Sequence, residues 1–534
     1  MNTLNSWLLL FVIILLTVTF VWFERRHSDV SSIAIVVLGD VGHSPRMQYH
    51  SLSFAQTLGV EVDLIGFSGS KCRPEVLENS SIRLHEMKPF PKIRGLPFIV
   101  TAPLKILSQI LQLCWVLLTI PNPSYIYMQN PPSIPSMIVC LFVSILRGSR
   151  FAIDWHNLAF SILALRLGSK SPLVKLSFLY EKTLGRFSSV NTCVSKAMKE
   201  WLEKNFKVEA TVMYDQPPDF FQPGQKEDVH SIVNKYQAAF NGFDFSRPKP
   251  TNTPVPPANS EEMNQRLSSL YPTPEEPILD HHFSNFVLPP QRQSSLSFPL
   301  LKYPQPSPTT PYNSSSRTSP ESTTFLVTES ETPFSIKTGE SVELKGDRPA
   351  ILISPTSWTP DEDFSVLLKA FRIVDERIAT HEIDSFPRVA MCVTGKGPLI
   401  EPVLKFIEDF PFSHFSFHPL WLDAADYPKM LASADLGISM HQSSSGIDLP
   451  MKVVDMFGCC IPVCARNFSC IGELVQHEVN GLLFDTPEEL ADHLIRLLNN
   501  FPNTPELLGM RQTLVERNMR WTSGWTQAVA PLFS

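Results

Sequence analysis

Ser439-Met-His-Gln-Ser-Ser-Ser-Gly-Ile-Asp-Leu-Pro-Met-Lys-Val-Val-Asp-Met-Phe-Gly-Cys-Cys-Ile-Pro-Val-Cys464 is the stretch that decides the fold. An apolar strand runs into a polar loop of small hydroxyl side chains. Leu449-Pro450 then opens a helix at a position where proline's missing N–H costs nothing. A second apolar strand, residues 461–464, follows a short turn. The loop holds Ser445 and gathers free backbone N–H groups at the positive end of the helix dipole, an arrangement suited to an anion. Lys452 adds a full positive charge in the first helical turn. Asp455 follows on the same face, placed to accept hydrogen bonds from sugar hydroxyls. A diphosphate carrying a sugar fits this set. The plainer reading is a βαβ loop whose serines only cap the helix.

The same alternation extends in both directions. Residues 32–38 form an apolar strand that ends in the turn Gly39-Asp-Val-Gly42, with a helix over 46–58 and a strand over 60–67 behind it. Doubly wound folds bind ligands at such strand exits. A strand at 125–128, a helix over 134–146 and a strand at 150–154 bring Asp154-Trp-His-Asn157 to the same edge. Residues 349–354 begin a second half, with a helix over 364–378 and a strand over 388–394 leading into Gly395-Lys396-Gly397. Next come a helix at 426–434, a strand at 436–440 and a last helix at 487–498 before a Trp-containing tail. Between the halves the character changes. Seventeen of the 47 prolines fall in residues 246–333 and no glycine occurs from 243 to 338, so residues 246–345 read as a disordered insertion. Domains are therefore expected at 32–240 and 346–534.

A chain of 534 residues exceeds one core. Its net charge of −7 gives no support to nucleic-acid binding. The nine cysteines lack metal-ligand spacing, which suits a reducing compartment and leaves no metal site in view. Residues 4–23 hold no charged residue and are long enough to span a bilayer. The first basic cluster, Arg25-Arg26-His27, comes after that run, so the positive-inside rule puts the rest of the chain in the cytosol. This is a transmembrane signal-anchor, residues 1–27. A second apolar stretch, residues 97–121, is interrupted by Lys105, Gln109 and Gln112 near one helical face. Surface helix, core helix and second span stay open, with the surface helix favoured.

Several blocks carry a resemblance. Asp455 before the Cys460-Ile-Pro462 turn is similar to the acidic helix of sugar-nucleotide glycosyltransferases with two Rossmann-like domains, the GT-B type. Asp448 lies seven positions earlier, where the common retaining families have eight. The run 443–459, together with residues 37–50, 154–157, 356–364, 394–398 and 520–525, resembles the family of β-1,4-mannosyltransferases that add the first mannose to dolichol-linked chitobiose. The resemblance implies an α/β GT-B enzyme with its active site in the interdomain cleft and one N-terminal transmembrane helix. It also implies GDP-mannose as donor, dolichol-diphosphate chitobiose as acceptor, and a cytosol-facing place on the endoplasmic reticulum membrane. Other mannosyltransferases of the dolichol pathway are candidate neighbours, and a divalent cation is left open as cofactor.

Donor binding is expected of Ser357, Gly395, Lys396, Ser445, Asp448, Lys452 and Asp455. Making a β-mannoside from an α-linked donor inverts the anomeric carbon in one displacement, so a single base must take the acceptor's proton. Candidates are Asp154, His156 and, next, Asp40; Gly39, Gly42, His43, Arg46 and Asn157 are assigned to the acceptor, with His43 and Arg46 suited to its pyrophosphate. A catalytically silent membrane scaffold of the same fold is the rival, and the charged residues at the strand exits speak against it.

Overall fold

The computed structural model describes residues 30–91, 98–240, 257–258, 260–271, 328–359, 362–383, 385–443 and 445–533. The expected anchor at 1–27 and residues 272–327 of the expected insertion lie outside the described residues.

Two parallel sheets form the frame. The first contains β1 (Ser32–Asp40), β2 (Glu61–Phe67), β3 (Ile82–Met87), β4 (Tyr125–Asn130), β5 (Arg150–Trp155), β6 (Val190–Cys193) and β7 (Thr211–Val212), in the order β3-β2-β1-β4-β5-β6-β7. A small antiparallel hairpin, β8 (Ser335–Thr338) and β9 (Ser341–Leu344), precedes the second sheet. That sheet contains β10 (Ala350–Pro355), β11 (Val389–Thr394), β12 (Phe415–Leu420), β13 (Leu436–Ser439), β14 (Val463–Arg466) and β15 (Gly481–Phe484), in the order β12-β11-β10-β13-β14-β15. In β1 and β10 the apolar run is nearly unbroken, because parallel strands are covered on both faces. Strand order reverses between β1 and β4 and again between β10 and β13. Those two reversals are where an open α/β sheet leaves a crevice.

Helices Phe98–Thr119, Ser136–Arg147 and Pro172–Leu184 cover one face of the first sheet through Leu113, Leu117, Met137, Val143 and Val174. Helix Pro45–Thr57 covers the other face and is joined there by Trp521, Trp525, Val529 and Phe533. The expected boundaries therefore need correction at both ends. Residues 521–533 complete the N-terminal core, and Phe221, Val229, Val233 and Phe240 pack into the C-terminal one. The tail also contains more helix than expected, Pro505–Arg517 and Trp521–Ala528.

The insertion is corrected too. Helix Glu261–Leu270 buries Met263, Leu267 and Tyr271, four residues apart, in the C-terminal core, with Ser260 capping its first turn. Phe334, before the hairpin, is fully buried and meets Phe240 edge-on. Islands of helical spacing within a Pro-rich background are enough to seat these pieces.

Candidate active site

At the first reversal, β5 delivers Asp154, Trp155 and His156 to the sheet edge. Asp154 is completely buried. Its carboxylate accepts from Arg46 Nε at 2.8 Å and Nη2 at 3.1 Å, and from the Thr192 hydroxyl at 2.5 Å. His156 Nε2 lies 2.6 Å away and His50 Nε2 3.3 Å away. Burial opposes the charge on Asp154, but Arg46 and His156 outweigh it and hold the carboxyl well below the usual carboxylate range. A buried group with every oxygen engaged cannot reach a substrate, so Asp154 orients rather than abstracts. His156 remains 20% exposed, and its Nδ1 has no hydrogen-bond partner among the described residues. A neutral ring that gives its Nε2 proton to Asp154 carries its lone pair on Nδ1.

Arg46 is 1% exposed and also donates to Asp215 at 2.7 Å and to the Met213 carbonyl at 3.1 Å. Its expected contact with the acceptor pyrophosphate is thus corrected: each guanidinium nitrogen is already engaged inside the protein. Behind Asp154, the Trp525 indole donates to His50 Nδ1 at 2.8 Å, which fixes the His50 proton on the nitrogen facing Asp154. Burial pushes His50 down to about 4. Neither His50 nor Trp525 was legible as a partner, since 475 positions separate them.

Asp40 accepts from the Gly42 and Ser70 amides at 3.0 and 2.8 Å and from His43 at 2.7 Å. Burial alone would raise its carboxyl, but His43 and the two amides pull it below its ordinary value, which makes it a weak base. His43 is exposed at the rim. A Cβ on Gly42 would run into the Ser70 carbonyl, so this glycine lets two loops cross, whereas Gly39 is not confined in that way. The Asn157 side-chain oxygen Oδ1 accepts from the Leu158 amide at 2.7 Å, at the start of helix Ala159–Leu167.

At the second reversal, the loops after β10, β11 and β13 converge. Gly395 has φ +112, and a Cβ there would meet the Thr356 carbonyl. Lys396 lies over the Trp421 ring at 3.9 Å. Lys452 pairs with Glu362 and donates to the Ser357 hydroxyl at 3.2 Å. Glu362, which nothing in the local sequence marks out, is nearly buried and accepts from the Ser357 amide at 2.6 Å and from Thr356. Ser445 is buried and turns its hydroxyl to Asp448 at 2.9 Å, with Ser443 on the same carboxylate oxygen. The expected donor role of Ser445 is corrected on that ground: the hydroxyl ties the loop together. Asp455 takes a 3.2 Å hydrogen bond from Tyr427, and burial pushes its carboxyl up to about 7, with Asp215 adding to the rise.

The two halves meet by these edges. The Ser195 hydroxyl donates to the Ile447 carbonyl at 2.5 Å. Glu473 accepts from the Lys196 and Ala197 amides at 2.7 and 2.9 Å, at the positive end of helix Lys196–Phe206, and from the Tyr214 hydroxyl. Among the described residues no three His, Cys, Asp or Glu side chains converge as metal ligands, and all nine cysteines are free.

Residues 337–513 match the family of glycosyl transferases group 1. The whole fold is similar to Anabaena Alr3699/HepE in complex with UDP and glucose, with TM-score 0.53 and 13% identity over 95% of this chain and 100% of that one. It is also similar to sucrose-phosphate synthase from Thermosynechococcus elongatus, with TM-score 0.53 and 11% identity over 93% and 97% of the two chains. Two Rossmann-like sheets joined by their strand exits thus make this protein a glycosyltransferase of the GT-B type. The human chitobiosyldiphosphodolichol beta-mannosyltransferase is 38% identical over 95% of this chain and 94% of its own length. The chain belongs to that family. The Candida albicans member is 31% identical over 96% of this chain and 90% of its own, and the Arabidopsis thaliana UDP-glycosyltransferase TURAN is 36% identical over 94% and 96%.

Proposed function

We propose that the protein transfers mannose from GDP-mannose to the chitobiose of dolichyl diphosphate, with inversion, on the cytosolic face of the endoplasmic reticulum membrane. The Asp154–His156 pair carries this reading, because it supplies one oriented base at the acceptor half's strand exits. His156 Nδ1 takes the proton from the acceptor hydroxyl as its oxygen attacks the anomeric carbon. The bond from that carbon to the donor diphosphate breaks, and the leaving GDP takes up the negative charge. Lys452 and Lys396 are the cations at the second strand exits that oppose this charge, with Ser357 beside Lys452. Relatives named for transfer to chitobiosyldiphosphodolichol support the acceptor, and that lipid supports the membrane assignment.

The test is a donor panel with detergent-solubilised full-length protein and dolichyl- or phytanyl-diphosphate chitobiose. GDP-mannose should yield a trisaccharide that β-mannosidase cleaves and α-mannosidase leaves intact. A product formed only from a UDP-sugar, as the Arabidopsis relative's name would suggest, or an α-linked product would overturn the proposal.

A further inference from the structure

Glu181, in helix Pro172–Leu184, is fully buried and takes no part in the chemistry described so far. No Lys, Arg or His pairs with it among the described residues; its partners are three N–H groups. Oε1 accepts from the Asn130 side-chain amide at 2.8 Å and from the Ala159 amide at 3.0 Å, and Oε2 accepts from the Phe160 amide at 3.0 Å. Burial pushes the carboxyl up to about 7, while Asn130 and the two backbone amides pull the other way. Leu158, at the cap position of helix Ala159–Leu167, offers no side-chain acceptor, so Glu181 caps that helix from 22 positions away. A carboxylate buried without a cation destabilises a fold, and a local Ser or Asp would cap a helix without that burden.

The two places Glu181 holds lie on either side of the proposed base. Asn130 ends β4, opposite Trp155 of β5. Its carbonyl accepts from the His156 amide at 2.8 Å. Its side-chain amide, besides reaching Glu181, donates to the Asn157 carbonyl at 3.3 Å. Ala159 and Phe160 begin the helix that follows the loop. Residues 156–158 are thus fastened at their entry through Asn130 and at their exit through the helix start, and both fastenings end on one carboxylate. Asp154 settles where Nε2 of the His156 ring points. Glu181 settles where the backbone carrying that ring stands. Nδ1, the nitrogen assigned to the acceptor's proton, depends on both, and displacing a reacting group by about 1 Å costs on the order of a hundredfold in rate.

We propose that Glu181 is a positioning residue for the transfer, holding the His156 loop at the acceptor through Asn130 and the start of helix Ala159–Leu167. The proposal rests on His156 as the base and is independent of which sugar is transferred. A plain core brace would show in the melting temperature and not in the turnover of the folded enzyme.

Glu181→Gln keeps the shape but turns an NH2 onto a group that is itself a donor. In full-length, detergent-solubilised protein, assayed well below its melting temperature, it should lower kcat about tenfold or more. The donor KM should stay within about twofold of the parent's, because Lys396 and Lys452 lie in the other half. Placed on His156→Ala, the same change should cost no more than about twofold further, since residues acting through one group are not additive. Parent-like turnover in Glu181→Gln, or an equal loss in both backgrounds, overturns the proposal alone. Near-normal turnover in His156→Ala overturns the base reading and the proposal with it. Asn130→Ser removes the bridging amide and leaves the helix cap, so it reads the same path should the Gln variant not fold. A kcat loss that vanishes on His156→Ala supports the proposal, and a parent-like kcat overturns it.

Discussion

Asp154 and His156 are two residues apart on one loop, yet burial gives them different work. Removing His156 takes away the exposed nitrogen and one of several partners of Asp154, so His156→Ala should lower kcat by roughly a hundredfold or more with only a small fall in melting temperature. Asp154→Ala instead leaves buried Arg46 with only Asp215 to balance it and should cost about 3–5 kcal/mol of stability. Steady-state turnover with thermal melts on both variants checks the division, and near-normal turnover in His156→Ala would end it. His50 adds a pH dependence. Its folded-state value near 4 lies below the ordinary 6.5, so the folded protein keeps it neutral while the unfolded chain protonates. Stability from this group is full above pH 6.5 and falls as pH drops towards 4, by about 3 kcal/mol over the window. His50→Asn keeps an acceptor for Trp525, so its stability deficit against the parent should shrink between pH 7 and pH 4.5; a constant deficit would refute the point. The sequence placed Asp154 and His156 correctly at a strand exit, because an apolar strand ending in polar residues is a local signal. It misplaced Arg46, because Asp215 returns beside it from 169 positions away and nothing local announces that.

The elements show the same divide between local and distant information. Strands β1, β10 and β11 were legible as unbroken apolar runs, and the helix Met451–Gly458 from Leu449-Pro450 ahead of it. Strands β12 and β15 were not: one carries His418 and Pro419, and the other opens on Gly481 and holds only three apolar residues. Helix Glu261–Leu270 was hidden because its buried residues number only three and prolines surround them. At the second reversal the loop after β10 and the helix after β13 are joined by Lys452, and on the proposed reading a donor diphosphate shares its ammonium with Glu362. Lys452→Gln should raise the donor KM about tenfold, the worth of one charge-assisted hydrogen bond. Glu362→Gln removes the competing charge and should move the donor KM the other way. Donor titrations at saturating acceptor measure both, and movement in the same direction would show that the pair only braces the loops.

Across the whole molecule, the described parts of the expected insertion are packed into the C-terminal core. Deleting residues 275–325 with a short flexible linker should leave the melting temperature and activity near those of the parent. Deleting 250–335 strips Met263, Leu267 and Phe334 from the C-terminal core and should cost at least several kcal/mol. Equal melting temperatures for the two deletions would mean those contacts are idle. The two-halves organisation was legible because each half repeats the same alternation, but the tail's return to the first half was not, since Trp521 and Trp525 say nothing of where they pack. That return has a temporal consequence. A ribosome adding 5–20 residues per second makes Trp521 roughly 20 to 70 seconds after Asp154. Through that interval the first sheet waits with one face only partly covered and His50 without its indole. Any product cut short before residue 521 would carry every residue of the proposed base and still lack the clasp that holds it in order, so premature termination leaves no half-working enzyme behind.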